Sequence, residues 1–130
     1  MTKLDKIMAL FKTSKKPLSK GHKRFIVIIS LVPTGKVATY GQVAKLANFD
    51  GQARQVVWTL HSSSKKYRLP WHRIINSQGK IGIQDSFSFL KQKSLLTREG
   101  VKFSSLEKID LKQFGWKPKS LKLNKIFSKL

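Results

Sequence analysis

Cysteine is missing from all 130 residues. Disulfides, thiolate metal sites and cysteine nucleophiles are therefore excluded together. Acidic residues are scarce, 6 Asp plus Glu against 27 Lys plus Arg, and they form no carboxylate pair or metal cluster in the sequence. Long apolar runs are absent too. The longest, Phe25 to Ile29 extended through Leu31-Val32, falls far short of a bilayer's thickness. The N-terminus is basic but carries no apolar secretory segment. We therefore expect a soluble, cytoplasmic monomer with no membrane association, no metal and no cofactor.

Hydrophobic residues make up 40 % of the chain, enough for one domain with a modest core and no staples. The formal charge is +21, and residues 1–24, 25–84 and 85–130 each carry +7. No single tail explains that excess. A polyanion is the natural partner, because each neutralised phosphate releases condensed counterions. Simple solubility is the bland alternative.

The pattern divides the chain into a basic arm (1–20), a folded domain (21–118) and a loose basic tail (119–130). A short helix or frayed arm is expected before Lys15-Lys16-Pro17. A helix follows from about Lys20 to Val32, with Phe25, Ile28, Ile29 and Val32 at helical spacing. Its β-branched run Ile26–Ile29 leaves a buried strand open.

Thr39 is a good N-cap, with Gln42 in capping-box position. It opens a short helix, Tyr40 to Asn48, and Asp50 is expected to cap a second, Gln52 to Ser62, whose inner face is Val56, Val57 and Leu60. Two short helices so joined make a helix-turn-helix. Ser62 to Lys66 reads as a polar loop. His72–Ile75 and Lys80–Gln84 read as a hairpin around Gly79. Asp85 or Ser86 caps a further helix with Phe87, Leu90 and Leu95 inward, ending at Glu99-Gly100. Trp58 and Trp116 are assigned to packing. The fold class is thus mainly α, a winged helix-turn-helix domain with a small β-hairpin wing.

Pro70-Trp71-His72-Arg73 sets an indole, an imidazole and a guanidinium side by side behind a proline. Val32-Pro33-Thr34-Gly35-Lys36-Val37, Thr39-Tyr40-Gly41-Gln42-Val43-Ala44, Ala53-Arg54-Gln55-Val56 and Leu69-Pro70-Trp71-His72-Arg73-Ile74 resemble, in order and spacing, the DNA-binding domain of O6-alkylguanine-DNA alkyltransferases. Those enzymes carry Pro-Cys-His-Arg. Tryptophan in the cysteine's place resembles the alkyltransferase-like proteins, which bind the lesion without repairing it.

The resemblance implies double-stranded DNA containing O6-alkylguanine as partner, bound through the minor groove, and nucleotide excision repair proteins as recipients of the lesion. It implies a pocket of Tyr40, Trp71, His72, Arg73 and Gln84, and DNA contacts from Thr39, Tyr40, Gln52, Ala53 and Arg54. Tyr40 would help rotate the nucleotide, Arg54 would fill the vacated stack, and Glu99 would partner the histidine. Three departures stand out: Val57-Trp58 where the family has glycines, Gln84 where some relatives have arginine, and Ser63 near the enzymes' pocket asparagine.

Chemistry supports the same division of roles. Dealkylation at O6 needs attack on carbon by a strong nucleophile such as a thiolate. An indole nitrogen is a donor with no free lone pair. No catalytic residue is therefore assigned. Two rival readings remain: a winged-helix regulator of undamaged DNA, and a base-excision enzyme using Asp85 or Glu99, which lacks a supporting carboxylate pair.

Overall fold

The computed structural model describes residues 1–130, apart from the side chains of residues 120 and 121. Its helices are α1 (Lys3–Thr13), α2 (Lys20–Leu31), α3 (Tyr40–Leu46), α4 (Ala53–Tyr67), α5 (Ser86–Arg98), α6 (Leu111–Phe114) and α7 (Ser120–Phe127). Two short strands, β1 (Ala38–Thr39) and β2 (Ile74–Ile75), complete the regular structure. The mainly helical expectation holds.

α2 lies at the centre. Phe25, Ile26, Val27, Ile28 and Ile29 are all buried, so this stretch of the helix is apolar on every side, as a core helix is. α1, α3 and α4 pack around it. Ser19 starts it by accepting a hydrogen bond from the His22 amide at 3.1 Å. The β-branched run is therefore helical, because tertiary burial outweighs its strand propensity.

Both ends of the chain dock. α1 begins with a complete Thr2–Asp5 capping box and buries Ile7, with Phe11 packed 5.5 Å from Tyr67. α7 inserts Leu123 and Phe127 into the same core. The N-terminal stretch is the short helix rather than the frayed arm, and α7 stands in place of the expected loose tail. Their apolar residues recur at helical spacing, and those faces are covered.

A second, smaller core gathers Val37, Ile75, Leu96, Val101, Ile109 and Phe114. The two strands pair in parallel, Ala38 with Ile74 and Thr39 with Ile75. That ladder brings the start of α3 beside the segment 71–75.

The expected hairpin wing does not form. Among the described residues no ladder joins 72–75 to 80–84: β2 pairs in parallel with β1, and a single backbone bond, from the Asn76 amide to the Lys80 carbonyl at 3.0 Å, closes the turn. Instead the Asn76 side chain accepts from the amides of Gln78 and Lys80, both at 3.0 Å. Gly79 binds elsewhere: its carbonyl accepts from Ile109 at 2.8 Å. Its φ is +79°, and a Cβ there would lie 2.7 Å from the Ile109 carbonyl oxygen. Only glycine fits this crossing.

Other local expectations shift for stated reasons. Ser62 to Lys66 is helix, not loop, because α4 runs on until Tyr67 and Leu69 reach the core. Asp50 is exposed and caps nothing; Gln52 stands at the N-cap of α4 without a side-chain bond. Asp85 does cap α5, accepting from the Ser88 amide at 2.9 Å, and Gly100 takes φ +90° after its end. The buried face of α5, however, is Gln92 and Leu96, leaving Phe87 77 % and Leu90 63 % exposed.

Candidate functional site

A cleft of about 590 Å³ opens between α4, the start of α3 and the start of α5. Tyr40, Leu60, Ser64, Trp71, Ile83 and Phe87 are among its lining residues. Trp71 gets there through a single 3-10 turn, Trp71–Arg73, set up by Pro70. Its amide bonds back to Leu69 at 2.8 Å, and the Arg73 amide to Pro70 at 3.0 Å. This places the indole in the cleft, edge-on to the His72 ring at 6.1 Å.

Tyr40 follows β1 directly, with Thr39 capping α3 by accepting from the Gln42 amide at 3.0 Å. Gln42 does not close the capping box; its side-chain Nε2 donates instead to the Trp116 carbonyl at 2.7 Å. Trp116, assigned to packing, is indeed packed against the main core. Burial pushes the Tyr40 hydroxyl above its ordinary pKa, keeping it a neutral donor. It lies close over Gly82, where a Cβ would stand 3.2 Å from the hydroxyl oxygen. The Ser64 hydroxyl is buried and has no hydrogen-bond partner among the described residues.

His72 and Arg73 do not line the cleft. They turn the other way, into a polar knot around Glu99. His72 Nε2 donates to the carboxylate at 2.7 Å, and Arg73 clamps it through Nε at 3.0 Å and Nη2 at 2.8 Å. The Gly35 amide adds a bond at 3.0 Å. Arg73 also donates to the Val32 carbonyl at 2.8 Å and to Thr34 Oγ1 at 3.0 Å. Burial alone would raise the Glu99 pKa, but the bonds from Arg73, Gly35 and His72 override it and hold the carboxyl at about 2. The knot fastens α5's end to the turn after α2.

Sequence reasoning missed Gln92. It is 1 % exposed, and its amide donates to the carbonyls of His72 at 3.0 Å and Ile74 at 3.1 Å. No sequence signal marks it, since a polar residue on a helix reads as solvated. Ser63 is buried 2.8 Å from His22 Nε2 and does not line the cleft.

The residues expected to touch DNA lie at helix starts. Gln52 and Arg54 are exposed and Ala53 is half-buried at the head of α4. Gln84 is exposed and lies outside the cleft lining, although Ile83 and Asp85 on either side belong to it. Trp58 is 66 % exposed, so its assignment to packing is wrong: α4 packs through Val56, Thr59, Ser63 and Tyr67, and position 58 falls on the opposite face. Among the described residues no group of three His, Asp or Glu is placed to hold a metal.

Residues 21–101 match the family described as 6-O-methylguanine DNA methyltransferase, DNA binding domain. The chain belongs to that family. Within it, a DNA base-flipping protein of Vibrio parahaemolyticus is 40 % identical over 95 residues, 73 % of this chain and 94 % of that protein. Alkyltransferase-like protein 1 of Schizosaccharomyces pombe is 37 % identical over 92 residues, 67 % and 85 % of the two chains. The crystal structure of S. pombe Atl1 with damaged DNA containing O6-carboxymethylguanine matches with a TM-score of 0.67 and 32 % identity, covering 79 % of this chain and all of that one. The Mycobacterium tuberculosis O6-methylguanine methyltransferase shares the fold, with a TM-score of 0.54 at 22 % identity, over 75 % of this chain and 56 % of that one. Methyltransferase-family membership thus covers the cleft, the knot and the head of α4 together.

Proposed function

We propose that this chain recognises alkylated DNA without repairing it. It binds duplex DNA through the minor groove, rotates O6-alkylguanine into the cleft, and marks the lesion for nucleotide excision repair. It acts as a cytoplasmic monomer. The observation that carries the reading is Trp71: an indole on an open cleft wall with Tyr40, at the place where family enzymes carry their cysteine, in a chain with no cysteine at all.

The energetics fit a recogniser. Stacking on an aromatic is worth about 1–3 kcal/mol per base, and flipping costs a few kcal/mol, less where alkylation has weakened the pair. Arg54, exposed at the head of α4, is the group to fill the vacated stack. The relatives named for base flipping and bound to damaged DNA support the lesion reading.

One experiment tests it. Affinity is compared, at fixed salt, for a duplex with a single O6-methylguanine and its undamaged counterpart; the base is then analysed after incubation. Tighter binding to the lesion with the methyl group intact is expected. Equal affinities, or loss of the methyl group, would overturn the proposal.

A further inference from the structure

A second groove, distinct from the Trp71 cleft, runs between the start of α2 and the outer face of α4. It measures about 590 Å³ and includes Lys20, Phe49, Gln52, Gln55, Trp58 and Ser62 in its lining. Trp58 is 66 % exposed, and no other aromatic ring stacks on it among the described residues. A water-exposed indole is a large unpartnered apolar surface, the kind enriched where macromolecules meet. Arg54 and Gln55 stand four and three residues before it, on the same side of the helix. No lining residue of the groove is acidic, so nothing there repels a phosphate.

We propose that this groove seats the sugar–phosphate backbone of the bound duplex. The Trp58 indole packs on the apolar face of a deoxyribose, Lys20 meets the adjoining phosphate, and the Gln52 and Gln55 amides donate to phosphate oxygens. The inference rests on the reading of α4 as the DNA-facing helix, and it extends the footprint beyond the lesion pocket. Charge complementarity and continuity with the head of α4 both favour DNA as the occupant. Sugar and phosphate repeat at every nucleotide, so this contact strengthens binding without adding lesion preference.

The test uses the full chain and the same two duplexes, one with a single O6-methylguanine and one undamaged. Trp58→Ala is expected to lose about tenfold in affinity, the scale of one buried aromatic contact. The loss should be equal on both duplexes, with the salt slope unchanged. Lys20→Ala should lower that slope by about one phosphate's worth. Trp58→Phe should retain most of the affinity, which separates packing from misfolding, and duplex binding should shield Trp58 from acrylamide quenching. Wild-type or tighter binding by Trp58→Ala would overturn the inference, as would a loss confined to the damaged duplex. Failure of the functional reading looks different: the wild-type chain would then show no lesion preference.

Discussion

Trp71 and the two residues after it are consecutive in sequence yet answer to different surroundings. Trp71 lines an open cleft, edge-on to the His72 ring. His72 and Arg73, with side chains 14 % and 15 % exposed, are bound to Glu99, and Arg73 also to Val32 and Thr34. One side of the segment lines the cleft; the other holds α5 and the turn after α2 in place. The difference explains how a Pro-Trp-His-Arg segment persists without a thiol. His72 needs no nucleophile to activate, because it is a strut of the knot.

The comparison breaks most visibly at Glu99. Glu99→Ala leaves Arg73 and His72 without their anion in a largely buried site, and should cost about 3 kcal/mol of stability. Denaturant unfolding measures it. A variant as stable as the wild type would mean that the knot does not hold the fold.

Acid probes the same knot more gently. Glu99 ordinarily titrates near 4.5 and in the fold near about 2, so between those values the unfolded chain binds more protons. Its stabilising contribution is whole above about pH 4.5 and is lost as pH falls through about 2. The melting temperature of the wild type should therefore fall more steeply below pH 4.5 than that of Glu99→Gln. Parallel curves would contradict the assignment.

On the cleft side the effect moves from stability to binding. Trp71→Ala should leave unfolding nearly unchanged and weaken lesion binding by about 1–3 kcal/mol, the range of one stacked base. If stability falls instead, Trp71 belongs with its neighbours and the contrast is false.

Arg54→Ala should have the smallest effect, about 1 kcal/mol or roughly fivefold, and should weigh more on damaged than undamaged duplex. Lys125→Ala in α7 supplies the control. Equal losses on both duplexes would remove the stack-filling role from Arg54.

What was legible in the chain was mostly local. The caps at Thr39 and Asp85 and the glycine after α5 depend on residues within a few positions, so their chemistry can be seen in the string. The order of α2, α3 and α4 followed from helical spacing. Misreadings arose where distant partners decide. Lys80–Gln84 has an alternating look, but β2 pairs with β1, more than thirty residues away. Phe87 and Leu90 look like an inner face, but two bonds from Gln92 set the rotation of α5. Three serines look like a loop, yet Ser63 is buried against His22 and α4 continues.

The candidate site divides in the same way. Trp71 and Tyr40 were named from motifs, and the parallel ladder puts them on one cleft. His72 and Arg73 were named with them but face away, and the Glu99 carboxylate is what turns them. Trp58's exposure followed only from the phase of α4.

Composition by itself determined one thing firmly: without cysteine, this chain cannot accept an alkyl group on a cysteine thiolate. Such chemistry resides in single functional groups, and a thiol absent from the sequence is absent from every fold. The tertiary structure alone decided which side chains face the cleft, which are bound into the knot, and that both ends dock. Those outcomes depend on long-range pairing and helix rotation, which cost and release free energy only once distant segments meet.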